Sequence, residues 1–446
     1  MSRAPINRVP RVNFAVGLAL AAGLAGWPGG SASADDDPIG RLIDTLERTS
    51  PAFSAPSPAA VEAASAPAAA LSPTPAPIVG TQAEQWLLTA IEAHQAIHAT
   101  GGWPKVPPGP LLAPGDRSAR VPPLRRRLTG EASEPATEVP FPELFDDDLH
   151  QRVRRFQVRH GLEADGIVGP DTLAAMNLSV GTRLAQLRAN LERARRARER
   201  IGPSRHVLVS LSAFRLQAVT DGRVAVQSRV IVGRPDRPTP ELRASIIAVD
   251  FLPTWHVPPG IARNDLFPKL RTDPGYFARQ RITITRVSDG RVIDPWLTPL
   301  DGLTSDTVRF RQAAGPGNAL GLIRLNMPNE HIVYLHDTAD RSRYESTYRA
   351  FSSGCVRVEQ IVPLTRWVLD DPAQWSETDI DQALARGRPF TVVLPRSVPV
   401  HFVNLTAWAE AGGVAHFRPD LYGIDRHLGE QLRPAGPGAP EPLVTP

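Results

Sequence analysis

The residues with the clearest capacity for chemistry are Cys355, the single cysteine of the sequence, and His336, which precedes it along the chain. A free thiol has a pKa of ~8.5, so a nucleophilic cysteine needs a neighbouring imidazole or an electropositive pocket to become thiolate at neutral pH. Gly354 allows the backbone to approach a substrate closely. The amides of the Ser-Ser-Gly turn before Cys355 are suited to stabilise an oxyanion. This arrangement predicts attack on an amide carbonyl.

A lone cysteine also has a simpler explanation. Single cysteines are more often inert buried hydrophobic residues than nucleophiles. Exported proteins normally pair their cysteines as disulfides, which makes an unpaired thiol a liability in an oxidising compartment. Composition and spacing alone leave both interpretations of Cys355 open.

The composition argues against several classes of function. Lys and Arg number 50 and Asp and Glu number 46, and the resulting net charge of +4 is spread along the chain, which disfavours nucleic acid as a partner. The basic stretches 125–127 and 191–200 are interpreted as solvated faces. The histidines lack the HExxH or CxxC type of spacing, so we expect no metal and no cofactor. The absence of a G-x-S-x-G elbow disfavours a serine hydrolase.

Residues 1–34 have the anatomy of a secretory signal peptide. Arginines precede the apolar stretch 14–27, and Ala32-Ser33-Ala34 stands just before three aspartates. The apolar stretch is shorter than the ~20 residues that span a bilayer. We therefore expect cleavage after Ala34, export to the periplasm and no stable membrane insertion. Residues 35–80, rich in Ala, Pro and Ser, are predicted to be a disordered linker.

The next part of the chain is predicted to be helical. Residues 81–144 form a helical scaffold segment, with helical spacing of apolar residues up to the Gly101-Gly102 break and a short helix at 124–128. Residues 145–180 are a compact unit of two helices joined by glycine-containing turns. A connecting helix is expected at 181–204.

From residue 205 the apolar period changes to two, which predicts a mainly β body over residues 205–400. Residues 206–219 are predicted to be one strand, followed by an Asp221-Gly222 hairpin turn. Residues 261–312 are expected to be an insertion and residues 401–446 a C-terminal extension. Further predicted strands are 223–234, 246–251, 281–287, 321–327, 331–338 and 390–395. The fold class is therefore α+β.

The compact helical unit resembles the small peptidoglycan-binding domain of cell-wall enzymes. The likeness rests on VRRFQVRHGLEADGIVGPDTLAAMN, in which the matching positions are Val153, Phe156, Gln157, Gly161, Leu162, Asp165, Gly166, Gly169 and Thr172. Most of these are core and turn residues. A helical hairpin without a ligand is therefore the alternative.

The segments HDT and SSGCVRV resemble the signature of the L,D-transpeptidases. The matching positions are His336, Ser352, Gly354, Cys355 and Arg357. Residues 232–240, 253–270, 325–338 and 416–425 resemble the large periplasmic branch of that family, so the likeness covers most of residues 81–426. Many members carry His before the Gly-Cys pair, where this chain has Ser353. The resemblance implies a mainly β catalytic domain of that family, with the insertion 261–312 as a cap over the cleft.

The resemblance also suggests roles for individual residues. His336 would be the base for Cys355, oriented by a backbone carbonyl or, less favoured, by Asp337. Ser353 and Gly354 would shape the turn and the oxyanion site. Arg357 would either stabilise the turn or bind a substrate carboxylate. The predicted lining of the cleft is Tyr334, Trp255 and Asn326, whereas His256 and His331 are interpreted as ordinary surface or packing residues.

By this resemblance, Cys355 forms a thioester on a tetrapeptide stem of peptidoglycan and expels D-alanine, and an amine of a neighbouring stem then forms a cross-link. Resolution by water would make the protein an L,D-carboxypeptidase, and resolution by a lipoprotein lysine an attachment enzyme. A non-catalytic wall-binding protein is the alternative from another class. The expected partners are the stem peptides and glycan of peptidoglycan, with cell-wall synthases as further candidates.

Overall fold

The structure is a computed structural model that describes residues 76–132, 140–202 and 204–426. The predicted signal peptide and linker residues 35–75 lie outside the described residues. The remaining residues of the predicted linker are packed, because Ile78 and Val79 are buried and the Ile78 N–H donates to Gln217 Oε1 at 2.9 Å. The ordered body therefore begins before the predicted boundary at residue 80. No helix of the described chain is long and apolar enough to cross a membrane.

Five helices form most of the N-terminal part of the described chain. They are α1 (Thr81–Ala99), α2 (Val121–Ala132), α3 (Asp147–His160), α4 (Pro170–Asn177) and α5 (Val180–Ile201). Asp146 caps α3 by accepting a hydrogen bond from the Leu149 N–H, and Gly161 ends it in the left-handed conformation at φ 66°. These caps set the bounds of α3.

The compact helical unit includes α2, which the sequence placed in the scaffold segment. Val121, Leu124 and Leu128 of α2 recur at helical spacing and share one buried core with Phe145 and Phe156. The predicted start of this unit at residue 145 is therefore too late. The short helix expected at 124–128 is the central part of α2.

The strands of the described chain are β1 (His206–Ser210), β2 (Arg215–Thr220), β3 (Arg223–Gly233), β4 (Arg243–Phe251), β5 (Trp255–His256), β6 (Ile282–Arg286), β7 (Val308–Gln312), β8 (Ile323–Asn326), β9 (Leu335–His336), β10 (Ala350–Ser352), β11 (Val356–Val358), β12 (Phe390–Val403), β13 (Ala407–Glu410) and β14 (Val414–Phe417). The main sheet has the order β10-β3-β11-β9-β8-β4-β12-β1-β2, and β2 also pairs with β3. Helices α9 (Ile361–Leu369) and α10 (Glu377–Ala385) contribute to the core of this sheet.

Several predicted strands have different bounds in the structure. The single strand expected at 206–219 is the antiparallel pair β1 and β2, because the chain turns at Phe214 with φ 52°. The strand expected at 331–338 is only β9, since Ile332 has φ 54° and cannot continue an extended strand. The Asp221-Gly222 turn lies between β2 and β3, with both residues at positive φ as such hairpins require. β12 continues through the predicted boundary at residue 400.

The insertion is a small subdomain with its own core. Helices α6 (Pro259–Ile261), α7 (Phe267–Thr272) and α8 (Gly275–Arg279) pack with a sheet of order β5-β7-β6. A π-helical turn, Ala262–Leu266, joins α6 to α7. Leu270, Phe277 and Phe310 are among its buried residues. The subdomain begins with β5, a little before the predicted residue 261.

The C-terminal extension connects the catalytic sheet to the helical part. Its hairpin β13–β14 shares a core with α1 and α5, formed around Leu87, Leu187 and Phe417. The Arg418 Nη1 donates to the Arg159 carbonyl at the end of α3 at 3.0 Å. The extension therefore touches the compact helical unit as well as the scaffold helices.

Candidate active site

The register of the central strands brings His336, Arg357 and Cys355 to one face of the sheet. β9 and β11 are parallel, with His336 paired to Arg357, and β8 is antiparallel to β9, with Arg324 paired to His336. Side chains two residues apart on a strand share a face, so Tyr334 lies on the His336 face. Cys355 stands just before β11, two residues from Arg357, and belongs to the same face.

The turn that carries Cys355 is held by short hydrogen bonds. The Ser352 hydroxyl donates to the Cys355 carbonyl at 2.5 Å and accepts from the Gly354 N–H at 3.1 Å. The Thr239 hydroxyl donates to the Gly354 carbonyl at 2.7 Å. Gly354 has φ 115°, a conformation that residues with a side chain rarely adopt. Because its N–H is already bonded, Gly354 shapes the turn instead of offering that N–H to an oxyanion.

The Cys355 thiol is partly exposed and weakly hydrogen-bonded. Its Sγ donates to the Ile332 carbonyl at 3.8 Å. Burial raises the pKa of the thiol above its ordinary value, whereas the Tyr334 main-chain N–H and the cations Arg357 and Arg324 act in the opposite direction. The resting thiol is therefore protonated at neutral pH and needs a base in order to attack a carbonyl.

His336 has the protonation state that such a base requires. The side chain is 4 % exposed, and its Nδ1 lies 2.5 Å from the Asp337 carbonyl oxygen, which favours the tautomer with the proton on Nδ1. The main chain of Leu320 is a second hydrogen-bond partner of the imidazole. Burial, together with the Arg357 cation, lowers the pKa of His336 to about 3. Within the described chain no hydrogen bond joins His336 to Cys355 in this resting state.

Asp337 lies beneath the site. Its Oδ1 accepts from Arg341 Nη1 at 2.8 Å and its Oδ2 accepts from the Leu322 N–H at 2.9 Å. The residue is 2 % exposed, so its carboxylate presents no surface to a substrate. This differs from the predicted substrate contact. Asp337 reaches the site through its main-chain carbonyl, which orients His336.

Arg357 is a partly buried cation beside the thiol. Burial lowers the pKa of its guanidinium, and Cys355 and Arg357 influence each other electrostatically. Within the part of the chain that the structure describes, no hydrogen-bond acceptor and no carboxylate pairs with this guanidinium. Its donors are therefore available to a ligand, which agrees better with the carboxylate-binding interpretation than with the turn-stabilising one.

Arg324 is a site residue that the sequence analysis missed. Its Nη2 lies 2.7 Å from Asp250 Oδ2, and its guanidinium carbon lies 4.9 Å from the centre of the Tyr334 ring. Burial raises the pKa of Tyr334. The available signal was the alternation within β8, where Arg324 and Asn326 share one face between the buried Ile323 and Leu325.

The insertion reaches the catalytic turn through an ion pair. Arg237 Nη2 lies 3.0 Å from Asp265 Oδ1 in the π-helical turn, and Arg237 Nη1 donates to the Ser353 hydroxyl at 3.2 Å. Ser353 is thus held from the insertion side. π-Helical turns occur frequently at functional sites.

Trp255 and His256 of β5 take different positions. Trp255 is partly buried and packs against the core of the insertion, and its place in the lining of the cleft stays a prediction. Burial and the cations Arg311 and Arg324 lower the pKa of His256. His256 therefore feels the charge of the catalytic face, which the interpretation as an ordinary surface residue did not anticipate. The described residues contain no group of three or more His, Cys, Asp or Glu side chains that could hold a metal ion.

Comparison with known proteins identifies both domains. Residues 204–391 match the L,D-transpeptidase catalytic domain, and residues 120–176 match the putative peptidoglycan binding domain. The second match begins at α2, in agreement with the shared core described above. The part of the chain that carries His336 and Cys355 is therefore similar to L,D-transpeptidase catalytic domains.

One curated relative and several solved structures are described as L,D-transpeptidases. A putative L,D-transpeptidase from Haemophilus influenzae is 36% identical over 234 residues, which cover 52% of this chain and 47% of the relative. This chain thus spans about half the length of that curated relative. The solved L,D-transpeptidase of Stackebrandtia nassauensis is 15% identical, with coverage of 68% of this chain and 97% of that chain and a TM-score of 0.24. The E. faecium catalytic domain acylated by ertapenem is 12% identical, with coverage of 45% and 98% and a TM-score of 0.24.

Proposed function

We propose that the protein is a peptidoglycan L,D-transpeptidase in which Cys355 is the nucleophile. The observation that carries this proposal is the placement of Cys355 on a rigid turn, on the same sheet face as a neutral His336 and an unpaired Arg357. The match of residues 204–391 to the catalytic domain of the family supports it. The reaction is acyl transfer between two peptide stems.

In the first step the Cys355 thiol attacks the carbonyl of the third residue of a tetrapeptide stem, which is bonded to the D-alanine amine. The thiol proton passes to Nε2 of His336, and the main-chain N–H of Cys355 donates to the oxyanion. The C–N bond breaks, the proton returns to the departing D-alanine amine, and a thioester remains. Arg357 pairs with the carboxylate of D-alanine, which follows the scissile bond directly.

In the second step an amine of a neighbouring stem attacks the thioester. His336 Nε2 takes a proton from that amine, the new amide forms, and the Cys355 thiolate departs and is reprotonated. The peptidoglycan-binding domain would raise the local concentration of stems around the site. The insertion, tied to the catalytic turn by Arg237 and Asp265, would cover the cleft and exclude water, the competing acceptor.

The location of the protein is part of this proposal. The basic and apolar character of residues 1–34 supports export by a signal peptide to the periplasm, where peptidoglycan is assembled. Cell-wall synthases that supply stems are the partners we expect, and the outcome for the cell is maintenance of its shape. Fractionation of cells that express the full chain would test the location, and recovery in the cytoplasm would contradict it.

The activity is tested by incubating the full chain with purified disaccharide-tetrapeptide and separating the products by mass spectrometry. We expect cross-linked dimers and free D-alanine from the wild type, and neither product from Cys355→Ala. Tripeptide without dimers would show that water, and not the amine of a neighbouring stem, is the acyl acceptor. Dimers from Cys355→Ala would contradict the proposed nucleophile. Arg396→Gln, at a side chain that is 86% exposed, is the control for substitution itself.

A further inference from the structure

Arg324 occupies the centre of the catalytic face, although the mechanism above gives it no task. It is paired with His336 across β8 and β9, and His336 is in turn paired with Arg357 across β9 and β11. The imidazole therefore lies between two guanidinium-bearing positions. Arg357 is available to a ligand, whereas Arg324 has fixed partners on two sides.

The first partner of Arg324 is Asp250 on β4. The Arg324 Nε and Nη2 donate to Asp250 Oδ2 at 2.8 Å and 2.7 Å. The second oxygen of Asp250 accepts from the Thr391 hydroxyl at 2.6 Å. Asp250 is 7% exposed, so this pair is largely removed from water and is weakly screened by salt. The guanidinium is consequently held in one place.

The second partner of Arg324 is the ring of Tyr334. The guanidinium carbon lies 4.9 Å from the ring centre, within the range of a cation–π contact. Tyr334 is the neighbour of the Cys355 sulfur, since its main-chain N–H faces the thiol. The Tyr334 phenol and the Cys355 thiol also influence each other electrostatically, so a fixed Tyr334 ring holds one side chain in place near the nucleophile.

We propose that Arg324 is a positioning residue for Cys355: anchored by Asp250, it holds Tyr334 beside the nucleophile and supplies a permanent positive charge that favours the thiolate. This deepens the proposed function, on which it rests for the identity of the nucleophile. Arg324 touches no reacting atom. It acts through Tyr334 and through the electrostatic potential of the site.

Several other charged or titratable groups surround the Cys355 thiol. Arg357 on β11 adds a second positive charge, and Tyr334, just before β9, and His336 on β9 are neutral at physiological pH. On the insertion side, Arg237 is paired with Asp265, and desolvation and the cations Arg311 and Arg324 lower the pKa of His256. Arg357 and Arg324 are the cations that lower the pKa of Cys355, and the Asp250 carboxylate offsets part of the charge of Arg324.

The test uses the fact that Cys355 is the only cysteine of the chain, so iodoacetamide reports on this thiol without any wall substrate. Arg324→Gln alone would leave Asp250 as a buried, unpaired charge, which destabilises proteins strongly. The comparison is therefore made in a neutral background, between Asp250→Asn and the double variant Asp250→Asn with Arg324→Gln. Alkylation rates are measured over a pH series for both variants, the wild type and the exposed-arginine control Arg396→Gln.

We expect the double variant to react about threefold or more slowly than Asp250→Asn at neutral pH, with its alkylation profile displaced to higher pH, because loss of a nearby positive charge raises a thiol pKa. Arg324→Lys keeps the charge but loses the two-donor contact with Asp250, so its alkylation profile should lie between those of the wild type and the double variant. Equal rates for Asp250→Asn and the double variant would overturn the proposal. If the double variant shows the displaced alkylation profile but the wild type forms no cross-links, Arg324 keeps its positioning role and the proposed transpeptidase function is wrong.

Discussion

At the scale of single residues, the site joins a protonated thiol to a neutral imidazole. Burial raises the pKa of Cys355 and lowers that of His336 to about 3, so each group rests in its uncharged form. A neutral pair avoids the cost of burying an isolated charge before substrate arrives. Arg324 and Arg357 then favour the thiolate once the proton has moved.

The low pKa of His336 predicts how stability depends on pH. Its value in the unfolded chain is the ordinary 6.5, so below that pH the unfolded chain binds more protons and the folded state loses stability as the pH falls towards about 3. Between neutral pH and about pH 5 this one residue should cost about 2 kcal/mol. Urea unfolding at both pH values should show a smaller loss for His336→Gln than for the wild type. Equal losses of unfolding free energy in the two proteins would contradict the low pKa of His336.

The unpaired guanidinium of Arg357 predicts selectivity for a carboxylate next to the scissile bond. Arg357→Gln should lower kcat/KM for the tetrapeptide about tenfold or more, as expected for loss of a charge-assisted hydrogen bond. A tetrapeptide with a C-terminal amide should react slowly with the wild type and show little further loss with the variant. Similar losses of kcat/KM for the acid and the amide substrate would show that Arg357 stabilises the turn and does not bind the carboxylate.

At the scale of elements, the insertion and the catalytic turn are linked by Arg237. The Arg237–Asp265 pair is partly exposed, with side-chain exposures of 23% and 37%, so it is worth no more than about 1 kcal/mol of stability. Asp265→Asn should leave the unfolding midpoint nearly unchanged. It should nevertheless speed hydrogen exchange in the Ser353 turn, which loses its support from the insertion. Asp273→Asn, in the exposed pair of Asp273 with Arg279, is the matched control. Unchanged exchange in Asp265→Asn would show that the pair does not hold the turn.

The elements also show what the sequence could reveal. The alternation of apolar residues predicted β4, β8 and the start of β12, and the Ser-Ser-Gly turn and His336 pointed to the proposed nucleophile and its proposed base. The split of 206–219 into β1 and β2 depends on a positive φ at Phe214, a residue type without a turn preference. The sequence does not distinguish Arg324 from other charged strand residues, because its contacts with Asp250 on β4 and with the Tyr334 ring appear only in the folded chain.

At the scale of the whole described body, the C-terminal extension binds the two domains together. Arg418 follows β14 and donates to the Arg159 carbonyl near the end of α3, while the Gln186 amide on α5 donates to the Thr406 and Arg418 carbonyls at 3.2 Å. The peptidoglycan-binding domain is thereby hydrogen-bonded to the extension that continues from β12. A stem bound by one domain would be presented to the other in a restricted set of orientations.

Two glycines in the left-handed helical region test this connection. A Cβ on Gly161 (φ 66°, ψ 30°) would lie 2.6 Å from Arg418 Cδ, whereas a Cβ on Gly412 (φ 76°, ψ 8°) would meet nothing within 4 Å. Gly412→Ala should cost about 1 kcal/mol, from the backbone conformation alone. Gly161→Ala should cost about 1 to 2 kcal/mol more, because Arg418 must also move. Urea unfolding measures both. Equal costs would show that Arg418 yields freely and does not fix the domains.

The central claim is that Cys355 carries the acyl group, and the most direct test is the intact mass of the full chain after brief exposure to disaccharide-tetrapeptide, quenched in acid and mapped by proteolysis. We predict an adduct with the mass of the donor stem less D-alanine, located on the peptide that contains Cys355. A carbapenem, as a slowly released acyl donor, should label the same peptide. An unmodified Cys355 in a chain that turns over substrate, or an adduct on another residue, would contradict the account.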